Sequence, residues 1–309
     1  MVHNKKVIKQ SEEDIMKDQL VKALVLDGRV RVYIDRTTDM VQEARDRFDL
    51  YPTACAALGR VLSTASIMGA MLKSDEEMLT ININGHGPIG SIVVDAYANG
   101  NVRGFVSNPH VEDAYKRPGK LDVGAVVGKD GTLTVTKDLN MAENWSGTID
   151  LQSGEIGDDF AYYFTMSEQT PSAVSVGVKV GTDGNVEAAG ALIIQMLPDA
   201  TEQDISICEH VISGLKPMST LITEYDDTSL DQLVKDMFQD AKILETRDIK
   251  FSCDCSKEKT GRVLATLPRK DIEELLGQEE GIDITCNFCN NTYHFDKDDL
   301  KAVLEKMYA

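Results

Sequence analysis

The chain has 309 residues, 42% hydrophobic and 27% charged, a soluble globular composition at a length that one core seldom fills. With 51 Asp and Glu against 32 Lys and Arg, the formal charge of -19 repels phosphate backbones and anionic lipid headgroups, so neither nucleic acid nor membrane is expected as a partner.

Residues 1–15, MVHNKKVIKQSEEDI, mix charges of both signs and hold no apolar run of signal-peptide length, so they read as a disordered extension without an export signal. From Gln19, the stretch QLVKALVLDGRVRVYIDRT places alternating Val30, Val32 and Ile34 after Asp27-Gly28, which predicts a β-hairpin. Thr38 or Asp39 can cap a helix over 40–48. Pro52 opens a second helix running to about Lys73, whose small residues let neighbours approach its backbone. Its segment Ala54 to Leu72 is the most apolar long stretch, but Arg60 and several Ser and Thr residues mark it as a buried helix and not a membrane span.

Strand-like runs follow at 78–84, 91–97, 102–107, 132–139, 173–180 and 186–197, with Asn99-Gly100, Asp130-Gly131 and Asp183-Gly184 as turns between several of them. GHGPIG at 85–90 has the letters of a dinucleotide fingerprint, but SIVVDAY after it reads as a strand where that fingerprint needs a helix. A glycine-rich turn with His86 as a loop residue is the expectation. Asp158 and Asp159 are adjacent and on a strand would face opposite sides, so they are not expected to act as a catalytic pair. The fold class predicted is α+β, with a largely antiparallel sheet domain and helices over 16–197.

Over 199–250 the chain carries 12 acidic against 5 basic residues and apolar residues at helical spacing, with no strand signature. Ile205, Cys208, Val211, Ile212 and Leu215 form one set; Leu230, Leu233, Val234, Met237, Phe238 and Ala241 form another, led by Ser229 and Gln232 in capping-box spacing. Residues 198–250 therefore read as a helical linker whose short amphipathic helices need a surface to rest on. Residues 251–309 form a small C-terminal unit with few large apolar residues, closed by a helix in KDDLKAVLEKMY.

That unit holds four of the six cysteines, Cys253 and Cys255 in CDC and Cys286 and Cys289 in CNFC, with 30 residues between the pairs. Two knuckles of paired sulfurs can close a tetrahedron around one Zn²⁺, which would supply the stability that the core lacks. A disulfide sulfur is neutral and a poor zinc ligand, so bridging a pair would remove donors two at a time. His294 competes as a ligand, but four thiolates already complete the site, and it is expected to be structural. Cys55 and Cys208 read as core thiols.

The Cys-x-Cys and Cys-x-x-Cys pattern, with RTTDM at 36–40, PTACAALGR at 52–60, GPIG at 87–90, YYFTMSEQTPS at 162–172 and ALIIQMLP at 191–198, resembles the heat shock protein 33 (33 kDa chaperonin) family. The resemblance implies a cytoplasmic holdase without ATPase activity, dormant when reduced with one Zn²⁺ per chain on Cys253, Cys255, Cys286 and Cys289. It implies oxidation to disulfides Cys253 with Cys255 and Cys286 with Cys289, zinc release, unfolding of the linker and homodimer formation. Unfolding client proteins would be its partners, and ATP-dependent chaperones would refold them. Members of that family tend to begin near Met16, which leaves residues 1–15 as the departure. Two other classes fit the cysteines less well: a zinc-ribbon adaptor with purely structural metal, and a thiol oxidoreductase using Cys286 and Cys289, which lacks its usual α/β setting.

Overall fold

The computed structural model describes residues 17–226, 228–278 and 280–306, so the extension expected at 1–15 lies outside the described residues. Strands β1 (Gln19–Val25) and β2 (Val30–Arg36) form the expected antiparallel hairpin. Its turn is four residues long, with Leu26, Asp27 and Gly28 all at positive φ. Helix α1 (Thr38–Phe48) begins earlier than the capping pattern indicates, and its cap is remote: the Asp18 carboxylate accepts from the amides of Asp39 at 3.2 Å and Met40 at 2.6 Å. No local pattern can show a cap supplied by a residue some twenty positions earlier.

Helix α2 (Pro52–Gly69) starts at the expected proline and ends four residues before Lys73. A Cβ on Gly59 would meet Val41 at 2.7 Å and Val178 at 2.9 Å, so the small residues do permit close approach from both sides. Strands β3 (Met78–His86), β4 (Ser91–Tyr97) and β5 (Asn101–Val106) run antiparallel; residues 87–90 of the GHGPIG stretch turn the chain between the first two, while Gly85 and His86, the latter expected in the loop, end β3. His86 at its corner takes φ +60.

A short strand pair, β6 (Tyr115–Arg117) and β7 (Lys120–Leu121), leads into α3 (Val123–Val127), β8 (Gly128–Asp138) and β9 (Trp145–Asp150). The Asp158 and Asp159 pair then lies at the start of helix α4 (Gly157–Met166) and not on a strand. Asp159 is fully buried and accepts from the amides of Gln152, Ser153 and Ile156 at 2.7 to 3.0 Å, so it is a structural carboxylate. Strands β10 (Ser172–Val180) and β11 (Val186–Met196) close this part of the chain as a second hairpin.

Three helices follow, α5 (Glu202–Gly214), α6 (Met218–Glu224) and α7 (Leu230–Met237). The capping box sits on the first of them, Thr201 with Asp204; Ser229 makes no side-chain cap, and Gln232 instead donates to Asp236 at 2.7 Å. The linker then ends in strand β12 (Lys242–Asp248), which the pattern did not indicate. It is an outer strand whose less exposed positions, Ile243, Glu245 and Arg247, are mostly polar, so no apolar alternation marks it.

The first sheet has the order β10-β11-β2-β1-β12, antiparallel throughout. The second contains β5, β4, β3, β8 and β9 in that order, extended beside β5 by the two-residue parallel strand β13 (Lys250–Phe251). The fold is thus α+β with antiparallel sheets. The main core lies between the sheets around α2 and takes Leu20, Tyr33, Ala191 and Ile193 from one face of the first sheet. Val21, Val32, Ile34, Leu192 and Ile194 from its other face are buried by Cys208, Met218, Leu221, Ile222, Leu233 and Val234 of α5, α6 and α7. Among the described residues, no helix is long and apolar enough to cross a membrane.

The covering layer is pinned at one end by charge. Arg29 in the β1–β2 turn donates from Nε at 2.8 Å and Nη2 at 3.0 Å to the two carboxylate oxygens of Asp204. That fork, with the Thr201 amide and hydroxyl, holds the Asp204 carboxyl well below its ordinary value of 3.8. A carboxyl depressed on folding contributes stability above its unfolded value and loses it as pH falls through the folded one. Asp204→Asn should therefore be less stable than the unaltered protein at pH 7, with the gap closing as the pH falls below 3.8. Urea unfolding across that range would measure it, and a pH-independent gap would contradict it.

Candidate metal centre

Two pieces of backbone bring the cysteines together. Behind β13, the Ser252 amide donates to the Val102 carbonyl at 2.8 Å, which carries the chain directly from the second sheet into Cys253, Asp254 and Cys255. Ser256 then caps helix α8 (Lys257–Leu264), its hydroxyl accepting from the Lys259 amide at 3.2 Å, so the first knuckle is fixed on both sides. Helix α9 (Arg269–Leu276) leads to the hairpin of β14 (Ile282–Thr285) and β15 (Thr292–Phe295), whose loop is the second knuckle. There the amides of Cys289 and Asn290 donate to the Cys286 carbonyl, and Asn290 turns the chain at φ +60.

The Sγ atoms of Cys253, Cys255, Cys286 and Cys289 all lie within 4.8 Å of one another. Across the knuckles, 3.9 Å separates Cys253 from Cys286 and 3.1 Å separates Cys255 from Cys289. Sulfurs at the corners of a tetrahedron around a metal 2.3 Å from each would stand about 3.8 Å apart, so four soft donors at these spacings can hold one metal ion. His294 is not part of the group; its Nδ1 lies 2.8 Å from Asp283 Oδ1 across the hairpin.

The thiols differ electrostatically. Burial raises Cys255, but hydrogen bonding, led by the Tyr293 hydroxyl at 3.1 Å, outweighs it and brings the thiol down to about 7. Burial pushes Cys253 and Cys289 upward. The Tyr293 hydroxyl also lies 3.0 Å from the Cys255 carbonyl, which ties the second hairpin to the first knuckle. The remaining cysteines stand apart: burial raises Cys55 to about 12 and Cys208 to about 11, as expected of inert core thiols.

Helix α10 (Lys297–Lys306) packs over this unit, whose own core consists of Leu264, Ile272, Phe295, Leu300 and Val303. So small a core is a weak source of stability, and the sulfur cage is what can tie α8 to the second hairpin. The cage also meets the second sheet. Arg103 on β5 faces Cys253 Sγ at 3.6 Å, and Arg47 on α1 donates to the Cys289 carbonyl at 3.2 Å. Sequence reasoning missed Arg103, Arg47 and Tyr293; the two arginines lie far from the cysteines in the chain and carry no local signal, whereas Tyr293 sits only four residues past Cys289.

Comparison with known proteins gives one answer. The profile of the family described as "Hsp33 protein" matches residues 18–296. The proteins named "33 kDa chaperonin" of Bacillus cytotoxicus and Bacillus cereus are each 47% identical over 294 residues, covering 94% of this chain and 100% of theirs. The crystal structure of the 33 kDa chaperonin from Thermotoga maritima superposes with a TM-score of 0.85 at 33% identity, covering 94% of this chain and 99% of that one.

Replacing any one of Cys253, Cys255, Cys286 and Cys289 by Ser should abolish metal retention through gel filtration, while Cys55→Ala and Cys208→Ala should leave it unchanged. Elemental analysis of the purified variants checks both halves.

Proposed function

The chain belongs to the Hsp33 family of chaperones, and on that premise we propose that it is a redox-regulated holdase, dormant when reduced and active once its cage thiols are oxidised. The observation that carries the proposal is one of connection: β12 and β13 run from the helices covering the apolar sheet face straight into the first cysteine knuckle. In this proposal residues 16–197 are the client-facing body, 198–250 the conditional linker and 251–309 the redox unit. One Zn²⁺ per chain would be held by Cys253, Cys255, Cys286 and Cys289, and bound zinc would keep all four sulfurs as thiolates in one cage.

Oxidation acts on the chain's own residues. A peroxide accepts two electrons from the Cys286 and Cys289 thiolates, its O–O bond breaks, an S–S bond forms, and two protons taken from solvent complete the water, or the water and alcohol, produced. Cys253 and Cys255 react in the same way with a second equivalent. Each pair is held within one knuckle by its spacing, so its sulfurs remain near each other when the knuckles part. The bridged sulfurs are neutral and no longer serve as metal donors, and the small core centred on Phe295 is left to hold the unit alone.

Helices α5, α6 and α7, at 13, 7 and 8 residues, are too short to persist without a surface and a stable frame. Their release would uncover Val21, Val32, Ile34, Leu192 and Ile194 together with the helices' own apolar sides, a surface suited to unfolding polypeptides. The oxidised protein would associate as a homodimer in the cytoplasm, hold clients without catalytic turnover, and leave refolding to ATP-dependent chaperones. The charge of -19 agrees with a partner that is neither nucleic acid nor membrane.

The test combines two readings on one sample. Peroxide with mild heat should release one zinc per chain to a chromogenic chelator while the protein gains the ability to suppress light scattering by an unrelated denaturing protein. Reductant should reverse the gain. Metal release without antiaggregation activity would refute the chaperone assignment and favour a structural zinc ribbon.

A further inference from the structure

Arg103 occupies a position that the metal site alone does not require. Its Nε and Nη2 both donate to Asp95 Oδ2 at 3.0 Å, and Asp95 in turn accepts from the Thr80 hydroxyl at 2.7 Å, so the guanidinium is anchored in the second sheet. Its outer nitrogen, Nη1, donates to Asp254 at 3.1 Å and faces Cys253 Sγ at 3.6 Å. The Phe288 ring lies over the same guanidinium, 4.5 Å from its carbon to the ring centre, and meets Phe105 edge-on at 5.3 Å. Cys253 and Asp254 belong to the first knuckle and Phe288 to the second, so one side chain rooted in the sheet touches both.

We propose that Arg103 is the contact through which the sheet body registers that the two knuckles are joined, and that losing this contact undocks the cysteine unit upon oxidation. The inference rests on the redox function proposed above. A guanidinium can engage carboxylate and sulfur with its edge while stacking on a ring with its face, and lysine cannot reproduce both. An N–H donor pointing at an anionic thiolate is stronger than one pointing at a neutral disulfide sulfur. Oxidation therefore weakens the contact with Cys253, and separation of the knuckles takes Phe288 off the guanidinium. The pairs of Arg103 with Asp95 and Asp254 do not involve the sulfurs, but Asp254 is exposed and also pairs with Lys259, so by itself it holds little.

Beside Arg103, the amides of Lys250 and Ser252 donate to the carbonyls of Gly100 at 3.1 Å and Val102 at 2.8 Å, which joins the linker's end to β5. Their hydrogen exchange reports docking without any measurement of chaperone activity. In the full-length, reduced protein saturated with zinc, Arg103→Ala and Phe288→Ala should each speed exchange at Lys250 and Ser252 about ten-fold or more. Zinc content and protection of β3 and β4 should be unchanged, and Arg103→Lys should recover only part of the loss. Oxidised unaltered protein should exchange these amides as fast as reduced Arg103→Ala does.

Unchanged exchange in both variants would overturn the proposal. So would loss of protection throughout β3, β4 and β5 in both, which would make the residues mere supports of the sheet. If oxidation expels zinc while Ser252 stays protected, the Arg103 contact is not the link, although a redox switch could still stand. If the exchange changes occur but oxidation brings no antiaggregation activity, the docking inference survives and the holdase function fails.

Discussion

Four sulfurs from two segments separated by 30 residues must occupy one small volume, and the C-terminal third of the molecule depends on that constraint. Cys253 approaches Cys286 and Cys255 approaches Cys289 across the knuckles, so the cage joins the two segments and is not two independent clips. The apolar core there is a handful of side chains around Phe295, and the ion pairs on its helices are exposed, where such pairs add little.

The consequence reaches the first sheet because that sheet is buried on both faces. Period-two alternation sends Leu20, Tyr33 and Ile193 toward α2 and Val21, Ile34 and Ile194 toward α5, α6 and α7. The inner face is permanently packed by an 18-residue helix of small side chains, whereas the outer face relies on three short helices of an acidic segment. The Arg29–Asp204 fork secures one end of that cover, and β12 secures the other through its pairing with β1. A chain of the Hsp33 family thus keeps a large apolar sheet face that its least self-sufficient elements conceal, with the four-cysteine cage placed immediately after them.

Much of this was legible in the sequence because it is local. Asp27-Gly28, Asn99-Gly100, Asp183-Gly184, alternation and the proline at Pro52 placed many of the strands and the long helix, whereas Asp130-Gly131, expected as a turn, lies inside β8; paired thiols at close spacing declared the cage. What escaped depends on contacts between distant segments. Asp18, just before β1, caps α1 from a distance, and β12 is held by edge pairing despite polar inward positions. The YYFTM stretch became helix α4 because the Asp159 carboxylate gathers the preceding backbone amides, a role that adjacency of two aspartates does not reveal. Arg103 looks in the sequence like any strand arginine.

The central claim is that intact thiolate coordination keeps both the small unit and the helical cover in place. The most direct measurement is peptide-level hydrogen exchange of Glu202–Met237 and Ile282–Phe295, compared between the reduced, zinc-loaded protein and the same protein after its four cage sulfurs are bridged. Protection lost in both segments while β3, β4 and α2 remain protected is the predicted result. Helices α5, α6 and α7 that stay protected after bridging would contradict the account.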